Sequence, residues 1–370
     1  MKNVTKINQK VIAIHLLNDF SGSPLVLANL IDALTQDGIE VELLTSGNNG
    51  FLSRCTCRIQ YFNYKRFNNK FLTLGAYIYS QIELFFRVFS STIFLAGAKK
   101  PKVLINTILP FGATLGAKLA GCEIIYYVHE VSIKPKILKL FLKFIIRAFA
   151  TDIIYVSNYL KNAEGLNKTN LVSEHVIYNS LPPFVSPLTS APVRKDFTVF
   201  MASSLKRYKG VYEFVEIAER LVQSDVRFIL ALNAEETEFE HFIFETKNLP
   251  NLIVLRRPDN ITDIYKAASL TVNLSHPGEW IETFGMTVIE AFSNACPVIV
   301  PKVGGIAEIV DDQVNGFQMS VCDCNAIAEL IYKIANDKCL YKSLSSNALI
   351  TAKKYLFENY KKKVVVLFSR

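Results

Sequence analysis

The chain has 370 residues, of which 50% are hydrophobic and 20% charged, with a formal net charge of +8. This length favours two domains, each able to bury a substantial core, and the composition excludes a disordered chain. Seven cysteines (Cys55, Cys57, Cys122, Cys296, Cys322, Cys324 and Cys339) show neither zinc-ligand nor redox-pair spacing and form no disulfide framework, which fits a reducing cytoplasm and ordinary core packing.

The first half alternates short β-branched runs with helical patterns. Strands are expected at 11–17, 40–44, 102–106, 123–128 and 152–156, as continuous apolar runs bounded by turn residues. The first helix is expected after Ser21-Gly22-Ser23-Pro24, with Ser23 as N-cap and Pro24 at the first helical position. Residues 71–98 read as one long buried or surface-lying helix, since Glu83 and Arg87 interrupt any membrane span. No secretory leader is apparent at the start of the chain, which argues for a cytoplasmic protein.

The positive excess belongs to this half: residues 1–190 carry 20 Lys+Arg against 11 Asp+Glu, and residues 191–370 carry 21 against 22. Within it, Lys136, Lys139, Lys143 and Arg147 form a stripe on a helix expected from about Lys134 to Ala150, opposite an apolar face. Such a helix fits an anionic membrane surface, and it also fits an ordinary crossover helix. The charge asymmetry favours peripheral docking on the membrane, with the Lys136 stripe as the docking face. Nothing resembles a nucleic-acid-binding module.

Pro182, Pro183, Pro187 and Pro192 crowd a stretch that reads as a linker, at 186–195. The alternation then restarts, with strands expected at 197–202, 226–232, 252–255, 270–274 and 298–300. Two such series imply two doubly wound parallel sheets, whose ligands sit beyond the carboxyl ends of the strands.

Between Glu282 and Glu290 the chain reads Glu-Thr-Phe-Gly-Met-Thr-Val-Ile-Glu. Gly285 can start a helix with the amides of Gly285, Met286 and Thr287 directed at a phosphate or a sugar hydroxyl. The first carboxylate precedes that helix and the second lies on it, so each can accept hydrogen bonds from a different diol. Pro297-Val298-Ile299-Val300, Gly304-Gly305-Ile306, Glu308-Ile309-Val310 and Asn315-Gly316-Phe317 follow in order. This pattern resembles family 4 (group 1) of the retaining glycosyltransferases, strongly over 203–317 and more weakly before that.

The resemblance implies the GT-B fold: two Rossmann-like doubly wound parallel-sheet domains facing an interdomain cleft. It implies an acceptor-binding domain at 1–185, a nucleotide-sugar-binding domain at 196–354 and a final helix at 355–370 crossing back to the first domain. Ser203-Ser204-Leu205-Lys206-Arg207-Tyr208-Lys209-Gly210 resembles the family's phosphate-binding turn, with Lys209 as its lysine. The family's arginine is Ser204 here, and Arg207, then Lys206, are the expected substitutes. Ser21-Gly22-Ser23-Pro24 takes the place of the Gly-rich loop, with Gly22 able to let backbone approach the donor; the same residues also read as a plain strand-to-helix turn. His129, at a strand end, matches a histidine that contacts the transferred sugar, and Asn179-Ser180 resembles an Asn-Gly step before the linker. Trp280 either packs beside the donor sugar or anchors its loop, and His276-Pro277-Gly278 reads as a turn without chemistry.

The expected site is therefore catalytic Glu282, His129 and Lys209, with donor contacts from Gly22, Lys206, Arg207, Lys209, Thr283, Phe284, Gly285, Met286, Thr287 and Glu290. Neither an Asp-x-Asp motif nor a His/Cys cluster supports a metal, and no cofactor beyond the nucleoside-diphosphate sugar substrate is expected. The expected activity is metal-independent, retaining hexosyl transfer to a saccharide or lipid-linked acceptor in surface-polysaccharide (O-antigen or capsule) biosynthesis. A nucleotide-sugar epimerase on the same fold and a non-catalytic sugar-nucleotide-binding protein are the alternatives.

Overall fold

The computed structural model describes residues 9–93, 100–130, 133–166, 172–192, 194–246 and 248–370. The chain divides into two units, one comprising Met1–Pro183 with Phe357–Arg370 and the other Phe184–Leu356.

In the first unit seven strands form one parallel sheet: β1 (Lys10–His15), β2 (Glu40–Thr45), β3 (Arg58–Tyr61), β4 (Lys102–Asn106), β5 (Ile124–Val128), β6 (Asp152–Tyr155) and β7 (Ser173–Val176). Their order is β3-β2-β1-β4-β5-β6-β7. The helices of this unit are α1 (Gly22–Gln36), α2 (Lys70–Ile93), α3 (Phe111–Leu119), α4 (Lys136–Phe149) and α5 (Asn158–Glu164). β1, β4 and β5 are buried along nearly their whole length, which is why they read as unbroken apolar runs.

The second unit has a six-stranded parallel sheet of β8 (Phe197–Ser204), β9 (Val226–Asn233), β10 (Leu252–Arg256), β11 (Leu270–Val272), β12 (Val298–Pro301) and β13 (Gly316–Met319). Its order is β10-β9-β8-β11-β12-β13. Around it lie α6 (Val211–Arg220), α7 (Glu236–Glu245), α8 (Ile261–Ala267), α9 (Met286–Ser293), α10 (Cys324–Asn336) and α11 (Lys338–Ala352). The proline-rich segment is tied to this unit, with Leu188 N–H donating to the Ser293 carbonyl at 2.8 Å and Arg194 to the Asn294 carbonyl at 2.6 Å. The last helix, α12 (Phe357–Phe368), belongs to the first unit. There the Tyr360 hydroxyl lies 3.4 Å from that of Tyr127, and Lys102 Nζ donates to the Leu367 carbonyl at 3.4 Å.

In both sheets the strand order reverses, between β1 and β4 in one and between β8 and β11 in the other. At such a reversal the connections leave in opposite directions and open a crevice at the carboxyl ends of the strands. One local expectation is corrected. α1 begins at Gly22 with Ser21 as its N-cap, two residues earlier than the expected Ser23, so Pro24 sits inside the first turn, where its missing N–H costs nothing. The 71–98 helix is seen from Lys70 to Ile93, and residues 94–98 lie outside the described residues.

Candidate active site

At the β8/β11 reversal, two loops are fastened to each other. Gly210 adopts φ +78°, and a Cβ there would lie 2.2 Å from the Leu274 carbonyl oxygen, so only glycine lets the turn after β8 approach the end of β11. The His276 N–H donates to the Tyr208 carbonyl at 2.8 Å, and the Tyr208 and Trp280 rings stack with centroids 5.5 Å apart. His276 Nε2 also meets Glu213 Oε1 on α6 at 2.9 Å.

These contacts set the charged groups. Lys209 Nζ donates to Glu282 Oε1 at 2.5 Å, and Ser275 Oγ donates to the same oxygen at 2.9 Å. Lys209 Nζ also sits 4.8 Å from the centroid of the Trp280 ring, whose face favours a cation. Both bonds converge on Oε1; among the described residues no hydrogen bond reaches Glu282 Oε2. The Glu282 backbone is fixed by the Gly305 N–H, which donates to its carbonyl at 2.8 Å. A Cβ on Gly304 would lie 2.5 Å from that same oxygen.

α9 starts just beyond, with Gly285 as N-cap at φ +120° and a virtual Cβ 2.7 Å from Ile306 Cγ1. The amides of Met286 and Thr287 belong to its first turn, where no carbonyl lies four residues back within the helix. Thr283, Met286 and Thr287 are half-buried, whereas the Phe284 side chain is buried, with its ring edge-on to Tyr355 at 6.0 Å. Phe284 therefore anchors the loop through its side chain and offers a ligand only its backbone. Glu290 lies on α9 beside Tyr265 of α8. Burial pushes its carboxyl up to about 7, against the opposing influence of the Tyr265 hydroxyl.

The two cations expected to replace the family arginine are not brought to Glu282. The Arg207 guanidinium lies over the Tyr212 ring at 5.3 Å, and Lys206 pairs with Glu238 on α7 at 3.3 Å. Both side chains are exposed; Arg207 rests on α6 and Lys206 reaches α7, whereas Lys209 is the cation of this turn that pairs with Glu282.

In the first unit, His129 caps the carboxyl end of β5. Its Nε2 lies 2.8 Å from Asn106 Oδ1, and Asn106 Nδ2 lies 2.9 Å from His15 Nδ1, at the ends of β4 and β1. An amide oxygen only accepts, so this chain places the His129 proton on Nε2 and leaves its Nδ1 as an acceptor. Burial lowers His129 to about 3, with His15 adding to the shift, and burial lowers His15 to about 4. Both rings are neutral at neutral pH. Gly22 is exposed at the start of α1, and a Cβ there would meet nothing within 4 Å, so its geometry does not demand glycine. Asn179 is buried and accepts from the Tyr127 hydroxyl at 2.9 Å, which gives it a structural partner.

Sequence reasoning missed His15, Asn106, Ser275 and Tyr265. His15 and Asn106 end strands β1 and β4 and Ser275 lies three residues beyond β11, and that placement at the two reversals was their signal. Among the described residues no group of three or more His, Cys, Asp and Glu is placed to hold a metal ion.

Residues 189–350 match the family model described as glycosyl transferases group 1. Over 204 residues the chain is 26% identical to the poly(glycerol-phosphate) alpha-glucosyltransferase of Bacillus subtilis (strain 168), covering 54% of this chain and 29% of that protein. Over 157 residues it is 27% identical to the capsular polysaccharide biosynthesis glycosyltransferase CapM of Staphylococcus aureus, covering 41% of this chain and 40% of that protein. The matches thus span less than half the length of these curated relatives. Among solved structures, Anabaena HepE in complex with UDP and glucose superposes with a TM-score of 0.77 at 17% identity, covering 98% of this chain and 99% of that one. The chain has the GT-B fold, and its second unit carries the match to the group 1 glycosyl transferases.

Proposed function

We propose that the chain is a retaining glycosyltransferase that moves a hexose-type sugar from a nucleoside diphosphate to an acceptor hydroxyl. The carrying observation is the convergence of Lys209 and Ser275 on one oxygen of Glu282 beside the first turn of α9. Glu282 Oε2 and the amides at Gly285 to Thr287 bind hexose hydroxyls, Glu290 accepts from the ribose diol, and Lys209 stabilises the diphosphate. In the first unit, His129 offers Nδ1 as the acceptor for a substrate hydroxyl.

In this reading the bond from the anomeric carbon to the phosphate oxygen breaks while the acceptor oxygen bonds the same face of that carbon. The acceptor proton passes to the departing phosphate oxygen, so no protein nucleophile and no metal is used. Lys206 and Arg207 are left out of the diphosphate clamp, since each has a partner directed elsewhere. The acceptor is a lipid-linked or growing saccharide of a surface polysaccharide, and the protein works at the inner face of the cytoplasmic membrane; the similarity to a capsular polysaccharide biosynthesis glycosyltransferase supports the polysaccharide part of this reading.

The test is product analysis. With the active nucleotide sugar and acceptor identified by a screen, NMR of the new anomeric proton must show the donor's configuration. An inverted linkage, or epimerised nucleotide sugar formed without acceptor, contradicts the reading.

A further inference from the structure

The basic stripe is not the free face of α4. Lys139 Nζ pairs with Glu164 Oε1 at 2.8 Å and Lys143 Nζ with Glu164 Oε2 at 2.9 Å, while Arg147 donates to the Leu166 and Gly165 carbonyls at 3.0 Å. Three of the four stripe residues thus neutralise a buried carboxylate or close the end of α5. This corrects the expected docking face. What α4 leaves in solvent is apolar: Ile137 (80% exposed), Leu140, Phe141 and Phe144 (63%), at i, i+3, i+4 and i+7.

α2 carries a second stripe of the same kind, Phe71 (85% exposed), Leu74, Ile78, Ile82 and Phe86 (61%). The two helices belong to one layer. α2 lies directly on α3, where a Cβ on Gly112 would fall 1.9 Å from the Gln81 carbonyl oxygen. The Tyr77 and Phe111 rings are 6.1 Å apart and the Phe111 and Phe141 rings 5.1 Å apart, which joins α2 to α4 across the start of α3. Right-handed crossovers place all three helices on one face of the sheet. Each begins at the sheet's carboxyl edge, where His15, Asn106 and His129 lie.

Charge identifies the occupant. Lys65, Arg66 and Lys70 lead into α2, and Lys134 and Lys136 lead into α4, all exposed. Residues 62–93, 107–119 and 133–149 contain one acidic residue, Glu83, and it pairs with Arg87 at 2.7 Å. A second copy docked on this face would set lysines against lysines. An anionic bilayer instead accepts the aromatic and aliphatic side chains below its headgroups and the lysines among them. No described helix is long and apolar enough to cross a membrane, so this is a surface attachment.

We infer that the outer faces of α2 and α4 form a single membrane-docking surface that inserts apolar side chains into an anionic bilayer and rims them with lysines. The inference goes beyond the transfer reaction and stands on α2 and α4 alone. Docked in this way, the edge carrying His129 lies close to the headgroups, where a lipid-linked substrate is presented.

The experiment is flotation of the full chain with vesicles of phosphatidylcholine alone or with phosphatidylglycerol, across a salt series and without donor. Wild type should float with the anionic vesicles and keep part of its binding at high salt, because the apolar contribution is not screened. Phe71→Glu/Ile78→Glu and Ile137→Glu/Phe144→Glu should each weaken binding at least about tenfold, with unchanged melting temperature and unchanged response to nucleotide sugars. Lys134→Glu/Lys136→Glu should weaken binding to the anionic vesicles only and flatten its dependence on salt. The inference is overturned if wild type ignores both vesicle types, if the apolar pairs bind like wild type, or if they instead abolish a dimer seen without vesicles. Since donor response is read separately, a failure here leaves the transfer reading untouched.

Discussion

Lys209 and Glu282 lie 73 positions apart in the chain and meet at 2.5 Å, each half-buried, at the point where the second sheet reverses its strand order. Ser275 shares the same carboxylate oxygen, so the three groups position one another. Removing one member leaves a partly buried charge without its partner, whereas removing both leaves none. Lys209→Met and Glu282→Gln should each destabilise by on the order of 1–2 kcal/mol, and the double variant by less than the sum. Chemical denaturation of the four proteins measures this coupling. Each single variant should also lose about 100-fold or more in kcat/KM, the scale of a lost charge-stabilising contact.

Glu290 provides a pH signature. Its carboxyl is raised to about 7 in the folded chain by burial, above the usual value near 4.5. The folded state therefore holds the proton more tightly than the unfolded one, and stability falls as pH rises from about 4.5 through about 7. Glu290→Gln should remove that slope and be the more stable protein above pH 7, by on the order of 1–3 kcal/mol. The same variant should bind the nucleotide sugar more weakly. A parallel pair of stability curves for the two proteins contradicts the assignment.

The His15–Asn106–His129 chain acts with the opposite sign. Both rings have depressed folded values, about 4 and about 3. Their contribution is complete above about pH 6.5 and is lost as pH falls toward those values, because the unfolded chain takes up protons first. Denaturation of wild type and His15→Gln at pH 7.5 and pH 5 should show the wild type losing more stability between the two. His129→Gln should in addition lower transfer at pH 7.5, where the ring is neutral and Nδ1 accepts.

His276 fixes the loop that carries Ser275, Trp280 and Glu282. Its Nε2 meets Glu213 Oε1 at 2.9 Å, and its N–H reaches the Tyr208 carbonyl at 2.8 Å. His276→Ala removes the first contact and keeps the second. It should raise the donor KM several-fold with a smaller change in kcat, and Glu213→Gln should be milder. A kcat loss as large as that of Glu282→Gln would place His276 in the reaction itself.

Lys143→Ala tests the reassignment of the basic stripe. Glu164 is buried and depends on Lys139 and Lys143. The substitution should lower stability by about 2–4 kcal/mol, the scale expected for breaking a buried ion pair, and leave vesicle binding of the folded fraction intact.

Ten strands were legible in the sequence, and the three that were not, β3, β7 and β13, all lie at sheet edges. Arg58-Ile-Gln-Tyr is polar at alternate positions and Ser173-Glu-His-Val at its first three, and both are partly in solvent, so they lack the continuous apolar run that marks a buried parallel strand. The segment from Glu282 to Glu290 and the turn at Gly304 were legible because their glycines are required by the backbone: Gly285 by its positive φ and by Ile306, Gly304 by the approach of the Glu282 carbonyl. Lys209 was found for the same reason, next to Gly210. The companions of these residues were not legible. Ser275 and Asn106 are common residue types whose significance comes from the strand ends that bring them together. On α4 the stripe was read correctly as a pattern, but periodicity does not say which side faces protein. Glu164 decides it by drawing the lysines inward.

The central claim is that the loop and helix around Gly285 clasp a nucleotide sugar in the second unit. Thermal unfolding of wild type, Lys209→Met and Glu290→Gln against a panel of nucleoside diphosphates and their sugars tests it most directly, because a ligand of the native state raises the melting temperature. The account expects one nucleotide sugar to raise the wild-type transition clearly, its nucleoside diphosphate to do so less, and both shifts to shrink in the two variants. A wild type indifferent to every nucleotide sugar, or a shift of equal size in all three proteins, contradicts it.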